Sequence, residues 1–208
     1  MTAFCSEVEL IELFRIAHSH HNLLKFTYDI SKTETVFLDT VIFKGQRFKR
    51  SGIFDIRSYT KPSNTHQYLH RTSYHNPAVF KGFIKGETIR HIRNNNNEQT
   101  LEKILDQFKT HLLQRGYKIQ EIQKHMNSAL NRSRNDLLTH NKDSGKNKIP
   151  LVLVTKYHNS IGKLGFYLRK HWHKLKRDEK CRKIFTENPI TSYCRHKHLG
   201  DYIINSKI

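Results

Sequence analysis

Apolar residues recur at helical spacing through the middle of the chain, between residues 77 and 138. The clearest apolar stripe runs along one predicted helix and consists of Leu101, Ile104, Leu105, Phe108 and Leu112. Gly116 follows this stripe and can adopt the left-handed conformation that ends many helices. The pattern predicts three consecutive helices, Pro77–Asn94, Glu98–Arg115 and Tyr117–Leu138.

The third predicted helix carries a polar face opposite its apolar stripe. Lys124, Asn127, Asn131 and Arg134 follow one another at steps of three, four and three residues. Such side chains can reach phosphates or the edges of bases. Three helices with two short connections and a polar third helix favour a helix-turn-helix arrangement. A plain three-helix bundle produces the same pattern.

The first predicted helix contains two interior glycines, Gly82 and Gly86, one turn apart, and Arg90 and Arg93 continue the same face. Each interior glycine costs a helix about 1 kcal/mol relative to alanine. A face without side chains lets another backbone approach closely. Two interpretations stay open: another helix packs against the glycines, or a nucleic-acid backbone lies there with the arginines at its end.

Extended segments precede the helices. Residues 24–30 alternate between apolar and polar side chains, which predicts a half-buried strand. Residues 34–44 are apolar on both faces, which is typical of a strand covered on both sides or interrupted by a bulge. Residues 47–58 form a third predicted strand with a bulge or turn at Gly52. The asparagine run 94–97 is interpreted as a solvated turn between helices.

After the helices, residues 140–148 are polar and predict a linker. A strand at 150–157, a basic helix at 161–175, a short helix at 178–185, a strand at 189–194 and a helix at 198–205 are predicted beyond it. The expected fold class is α+β: a small antiparallel sheet remnant, a three-helix helix-turn-helix-like bundle and a basic α/β connector. The three regions are 1–60, 61–139 and 140–208.

The charge balance limits the class of partner. The chain has 208 residues, a net charge of +19 and a pI of about 10.0, with basic residues spread along its length. Such a balance points to a polyanion, DNA or RNA, bound over an extended face. No segment resembles a signal peptide or a membrane span, and three cysteines without paired spacing indicate a reducing, intracellular location. We expect the nucleus and no membrane partner.

Catalytic patterns are missing from the sequence. There is no pair of adjacent aspartates, no Gly-rich phosphate loop and no Gly-x-Ser-x-Gly turn. The alternating Cys194, His196 and His198, with Cys181 upstream, could form a zinc site or a solvated basic cluster, and zinc sites usually show tighter spacing. We therefore expect no enzyme activity, no cofactor and no metal.

Several short motifs follow one another over most of residues 20–138. They are Lys25-Phe26-Thr27, Phe37-Leu38-Asp39, Tyr59-Thr60-Lys61-Pro62, His66-Gln67-Tyr68-Leu69, Ser73 with His75, Phe80-Lys81-Gly82, Gly86-Glu87, Arg90, Arg93 and Arg115-Gly116-Tyr117. Their order resembles the reverse transcriptases of Penelope-like retroelements of animals, in the stretch downstream of the active site of those enzymes. The resemblance implies the end of a palm, a helical thumb carrying an animal-type helix-turn-helix module, and a connector.

The polymerase activity of that family depends on a Tyr-x-Asp-Asp motif, which this sequence does not contain. We therefore expect a catalytically incomplete piece of a reverse transcriptase that grips a nucleic-acid duplex or hybrid, with the remainder of such an enzyme as a further partner. The expected phosphate contacts are Lys61, Lys81, Lys85, Arg90, Arg93, Lys124 and Arg134, with Asn127 and Asn131 beside them. The alternatives are a free-standing helix-turn-helix DNA-binding regulator and a partner-dependent structural module.

Overall fold

A computed structural model describes residues 6–21, 23–139, 151–161 and 163–194. Over these residues the fold is mixed α+β, as predicted. The helices are α1 Glu7–Ser19, α2 Gln46–Ser51, α3 Pro77–Asn94, α4 Glu98–Gln114, α5 Ile119–Leu130, α6 Arg134–Leu138, α7 Leu164–Leu175 and α8 Glu179–Ile184, and a 3₁₀ turn covers Asn159–Ile161. The strands are β1 Glu34–Phe37, β2 Thr40–Phe43, β3 Asp55–Ser58, β4 Val152–Lys156 and β5 Ile190–Cys194.

The chain divides into two compact units. The first consists of residues 1–65 and 91–106, and the second consists of residues 66–90 and 107–208. Among the helices described above, none is long and apolar enough to cross a membrane. The predicted linker at 140–148 and the predicted helix at 198–205 lie outside the described residues.

The first unit contains an antiparallel sheet in the order β1-β2-β3. Phe37 pairs with Thr40 across a two-residue turn, in which Leu38 has a φ of 53°. The prediction of one strand over residues 34–44 was therefore wrong, because this segment is a hairpin. Apolar side chains on both faces hid the turn, which contains neither glycine nor proline.

The predicted strand at residues 24–30 was also wrong, since this segment pairs with no other strand of the described chain. It lies along α1 instead. The Tyr28 ring packs 4.3 Å from the Phe14 ring, and the Phe26 amide donates to His18 Nδ1 over 3.3 Å. An alternating pattern forms a strand only where a neighbouring strand completes the hydrogen-bond ladder. Here the segment packs against the helix α1 instead.

The predicted strand at residues 47–58 proves to be a helix followed by a strand. α2 begins where the Arg47 amide donates to the Asp55 carboxylate over 3.1 Å. It ends at Gly52, which has a left-handed φ of 70°. Only β3 is extended, so the turn expected at Gly52 is confirmed while the long strand is not.

The asparagine run connects α3 to α4, as predicted, but it is solvated only in part, because Asn95 and Asn96 bind β3 and form what we name the asparagine lock. The Asn95 side chain is 2% exposed, and its Oδ1 accepts the Ser58 amide over 3.0 Å. Asn96 Oδ1 accepts the Ile56 amide over 3.0 Å, and the Asn96 amide donates back to the Ile56 carbonyl. These asparagines satisfy the free edge of β3 as another strand would.

The second unit is built on helical packing. The predicted bounds of α3 are confirmed, and α4 ends one residue before the predicted Arg115. The apolar stripes of the helices supply the buried side chains of this unit, as the helical spacing predicted. Its most deeply buried large side chains are Phe80, Ile84, Phe108, Leu112 and Ile122.

The third predicted helix is interrupted. α5 ends at Leu130, with Asn131 as its C-terminal cap, and α6 begins only at Arg134. Ser133 starts α6 by accepting the Asp136 amide over 3.1 Å. A serine that caps a new helix competes with continuation of the preceding helix. The prediction of a single helix as far as Leu138 was therefore wrong.

The connector forms a parallel pair, β4 with β5, and α7 packs against it. A Cβ placed on Gly165 would lie 2.7 Å from Thr191 Oγ1, so α7 approaches β5 closely at this glycine. Trp172 is 4% exposed and its Nε1 donates to the Glu187 carbonyl over 2.9 Å. The predicted elements at 150–157, 161–175, 178–185 and 189–194 are confirmed with shorter ends.

Candidate nucleic-acid interface

A four-residue turn, 115–118, joins α4 to α5. Gly116 takes a left-handed φ of 82°, and its amide donates to the Leu113 carbonyl. Tyr117 follows with its amide bonded to the Leu112 carbonyl, and its ring is 3% exposed against the edge of Phe80. This capped and anchored turn fixes the start of α5, as a helix-turn-helix requires.

α5 separates its buried face from its polar face. Ile122, Met126 and Ala129 are buried. Lys124 and Asn127 lie on the opposite side of the helix and are exposed, and Asn131 continues the same stripe at the end of α5. Three of the four predicted polar residues therefore share one solvent-facing surface.

Gln120 belongs to the same stripe but was missed by the sequence analysis. It lies four residues before Lys124, at the first turn of α5, and it is exposed. The signal was present, since the i, i+4 spacing of the polar stripe continues by one step towards the N-terminus. We name the surface of Gln120, Lys124, Asn127 and Asn131 the polar face of α5.

Arg134 does not share that face. It lies on α6, beyond the break after α5, and is half-buried. Its assignment to the same helical stripe was wrong because the stripe was extrapolated through a turn. Its assignment as a phosphate contact stays a prediction.

Lysines from α3 and α5 converge around one histidine. Burial lowers the pKa of His125, Glu121 partly opposes this effect, and the positive charges of Lys81, Lys124 and Lys85 lower the pKa further. Three ammonium groups therefore act on the same imidazole ring. We name Lys81, Lys85, Lys124 and His125 the basic cluster. His125 was missed because nothing in its local sequence distinguishes it from the other histidines.

The predicted arginines of α3 lie elsewhere on that helix. Arg90 Nε lies 3.4 Å from the carboxylate of Glu87, and nine residues separate Arg90 from Lys81, about half a turn around the helix axis. Arg93 is exposed near the C-terminal end of α3. The basic cluster therefore contains Lys81 and Lys85 but neither arginine.

Gly82 and Gly86 face open space. A Cβ built on either glycine would meet nothing within 4 Å. Packing of another described part of this chain against these glycines, which was one of the two interpretations, is therefore not observed. The bare surface of α3 at Gly82 and Gly86, which we name the glycine strip, lies between the side that carries Lys81 and Lys85 and the side that carries Arg90.

Lys61 is exposed in the loop between β3 and α3. It belongs to the first unit, whereas the basic cluster belongs to the second. Its backbone carbonyl accepts the Asn64 amide over 2.9 Å, which stabilises the turn around Pro62. Its role as a phosphate contact stays a prediction.

The segment before α3 is bound to the helices. Arg71 Nε lies 2.9 Å from the Glu121 carboxylate on α5, and its guanidinium lies 4.6 Å from the centre of the Phe80 ring. Arg115 Nε donates to the Tyr68 carbonyl over 2.7 Å, and the Tyr68 ring meets the Phe108 ring edge-on. Arg71 thus offsets the negative charge of Glu121, the one acidic residue of α5.

No group of three or more potential metal ligands occurs among the described residues. Cys181 is half-buried and Cys194 is exposed, and neither forms a disulfide. His196 and His198 lie outside the described part of the chain. The choice between a zinc site and a solvated cluster stays as the sequence left it.

Residues 67–127 match the animal helix-turn-helix domain family. The matched range contains α3, α4, the turn and most of α5. No curated protein and no solved structure matches the chain. The helix-turn-helix predicted from the helical pattern is therefore confirmed, and a domain of this type points to DNA binding.

Proposed function

From the helix-turn-helix domain and its basic cluster, we propose that this chain binds a nucleic-acid duplex chiefly through phosphate contacts. The observation that carries the proposal is that Lys81 and Lys85 of α3 and Lys124 of α5 all act on His125, while Lys124 also belongs to the polar face of α5. Neighbouring ammonium groups can neutralise successive phosphates and release condensed counterions. The exposed glycine strip of α3 leaves room beside them for a backbone.

The proposal extends to origin and location. The order of motifs that resembles Penelope-like reverse transcriptases supports a thumb-like role in such a protein, without polymerase chemistry of its own and in the nucleus. A primer-extension assay with Mg²⁺ tests the chemistry, and we expect no extended product. An extended primer that disappears when Asp39 is replaced would contradict this part of the proposal.

Neutralising the basic cluster tests the main proposal. In the variant Lys81→Gln/Lys85→Gln/Lys124→Gln we expect the affinity for a labelled random-sequence duplex to fall at least tenfold, measured by fluorescence anisotropy. All three side chains are at least partly exposed, so the fold should be retained.

The matched control is Lys25→Gln/Lys49→Gln/Lys103→Gln, which removes the same charge from exposed lysines outside the cluster. We expect the duplex affinity of this control to change less than threefold, because salt screens the attraction between the duplex and lysines that do not contact it. Equal losses in the two triple variants, or no duplex binding by the unmodified chain below millimolar protein, would contradict the proposal.

A second candidate is a sequence-specific DNA-binding regulator, and the polar face of α5 favours it. Asparagine and glutamine amides can each bond the two major-groove groups of adenine, and Gln120 and Asn127 are both exposed there. Selection from a pool of random duplexes separates the two candidates. An enriched consensus that Asn127→Ala abolishes supports the regulator, whereas uniform recovery supports phosphate-based binding.

A third candidate is a structural module that completes another polypeptide, including the remainder of a reverse transcriptase. The first unit exposes large apolar side chains, among them Val8, Leu23 and Leu38, each more than three-quarters exposed. Sedimentation of the chain with a polypeptide that carries the palm of a Penelope-like reverse transcriptase tests this candidate. A stable complex at micromolar concentration supports it, and independent sedimentation rejects it.

A further inference from the structure

We propose that α7 carries a second nucleic-acid-binding surface, which takes single strands by stacking their bases on Phe166 and Tyr167. This inference goes beyond the proposed function, because it concerns different residues and a different form of the nucleic acid. The surface consists of Lys163, Phe166, Tyr167, Lys170 and Lys174, and we name it the aromatic face of α7.

The packing of α7 fixes which of its sides faces solvent. Gly165 lies against Thr191 of β5, and Trp172 is buried with its ring 5.6 Å from that of Phe185. Lys163, Tyr167, Lys170 and Lys174 follow at steps of four, three and four on the other side of the helix, and Phe166 lies beside them. The aromatic face is therefore held outward by a rigid contact on the opposite side.

Two aromatic rings of this surface are exposed to solvent. Phe166 is 57% exposed and Tyr167 is 51% exposed, with their rings 5.6 Å apart and nearly perpendicular. Aromatic rings with a free face can each accept one unpaired base, whichever base it is, because every base has a π-face. Paired bases in a duplex do not offer that face.

The charges around the rings select a polyanion. α7 contains no aspartate or glutamate, and within the described ranges none of Lys163, Lys170 and Lys174 is paired with a carboxylate. Ammonium groups on both sides of a stacking platform follow the phosphates of a single strand. An apolar protein partner would leave these three charges buried without a counter-ion.

Replacement of the two rings tests the proposal. We expect Phe166→Ala/Tyr167→Ala to lower the affinity for a fluorescein-labelled oligo(dT) single strand at least tenfold, since loss of even one of the two stacked bases has about that effect. We expect Phe166→Leu/Tyr167→Leu to show the same loss, because leucine keeps apolar area and removes the π-face. Affinity for a duplex should change less than twofold in both variants.

Controls separate stacking from other causes. Leu175→Ala and Ile184→Ala remove exposed apolar side chains elsewhere in the connector, and we expect no change in single-strand affinity. An oligonucleotide that contains 2-aminopurine should lose fluorescence on binding the unmodified chain but not the leucine variant. Far-ultraviolet circular dichroism checks that every variant keeps its helices.

Three outcomes would overturn this proposal. The first is single-strand affinity retained by the leucine variant, and the second is an equal loss of single-strand and duplex affinity. The third is binding of vesicles made of equal parts phosphatidylserine and phosphatidylcholine that the alanine variant loses while single-strand affinity is unchanged. The Lys81, Lys85 and Lys124 variant is the test of the proposed function alone, because those residues lie outside α7.

Discussion

At the scale of single residues, His125 is the group through which pH should act on the proposed interface. Burial and the charges of Lys81, Lys124 and Lys85 lower its pKa against the opposing charge of Glu121, which favours the neutral imidazole in the free protein. A phosphate bound among the lysines offsets part of their positive charge. Binding should therefore raise the pKa of His125 and take up a proton.

The expected result is tighter duplex binding at lower pH. Between pH 8 and pH 5.5 the affinity should rise by up to about tenfold for each unit by which the phosphate raises the pKa of His125. Fluorescence anisotropy across this range measures the effect. His125→Gln should remove most of the pH dependence, whereas His20→Gln, which alters the exposed histidine at the C-terminal cap of α1, should leave it. The same pH dependence in His125→Gln would contradict the assignment.

Asn95 is a residue whose role is structural. Its buried side chain accepts the Ser58 amide and donates to the His91 carbonyl over 2.7 Å. In Asn95→Ala these backbone groups lose their partners, and we expect the free energy of unfolding to fall by about 1–3 kcal/mol. Urea denaturation measures it. Asn94→Ala is the control, because the Asn94 side chain makes no hydrogen bond to the described residues, and a loss as large in that variant would contradict the role.

At the scale of secondary-structure elements, α3 is less stable as a helix than its length allows. Gly82 and Gly86 lie inside it and face open space, so neither is needed for packing within the described chain. A helix keeps such glycines at a cost of about 1 kcal/mol each. A function of the bare strip in binding is one reason to retain them.

Alanine at both glycines should therefore separate stability from binding. We expect Gly82→Ala and Gly86→Ala each to raise the melting temperature by about 2–4 °C, because a Cβ meets no neighbour. If a nucleic-acid backbone lies on the strip, the double variant should also lower duplex affinity. Gly116→Ala is the opposite control: its φ of 82° makes alanine destabilising. A double variant with an unchanged or lower melting temperature would contradict the argument.

Elements differ in how far the sequence could predict them. α3 and α4 were predicted almost to the residue, because Pro77 and Gly116 mark their outer ends and a long apolar period lies between. The hairpin at Leu38 and the break before Ser133 were missed. Both are turns whose residues also occur in strands and helices, and tertiary contacts decide between the two.

Parts of the candidate interface could likewise be predicted from the sequence, and other parts could not. The polar face of α5 could be predicted, since it follows from helical spacing alone. The basic cluster could not be, because Lys81 and Lys124 come together only when α3 and α5 are packed. The Asn95 and Asn96 lock was equally out of reach, since their partners in β3 lie about forty residues away in the sequence.

At the scale of the whole molecule, a net charge of +19 sets the dependence of binding on salt. Each phosphate neutralised on B-DNA contributes about −0.9 to the slope of log affinity against log salt concentration. The unmodified chain should therefore show a slope steeper than about −2.7, the share of three lysines. The triple variant of the basic cluster should lose about 2.7 of it. Binding titrations from low to physiological salt measure both slopes, and a salt-insensitive association would contradict the electrostatic basis.

The asparagine lock has a consequence for how the small sheet can grow. The outward amides of β3 are already occupied by side chains from the same chain, so this margin cannot template an additional strand. The opposite edge, along β1, pairs with no further strand of the described chain, although its Glu34 amide donates to Ser31 Oγ over 3.2 Å. We therefore expect a foreign strand that lengthens the sheet to pair with β1 and not with β3.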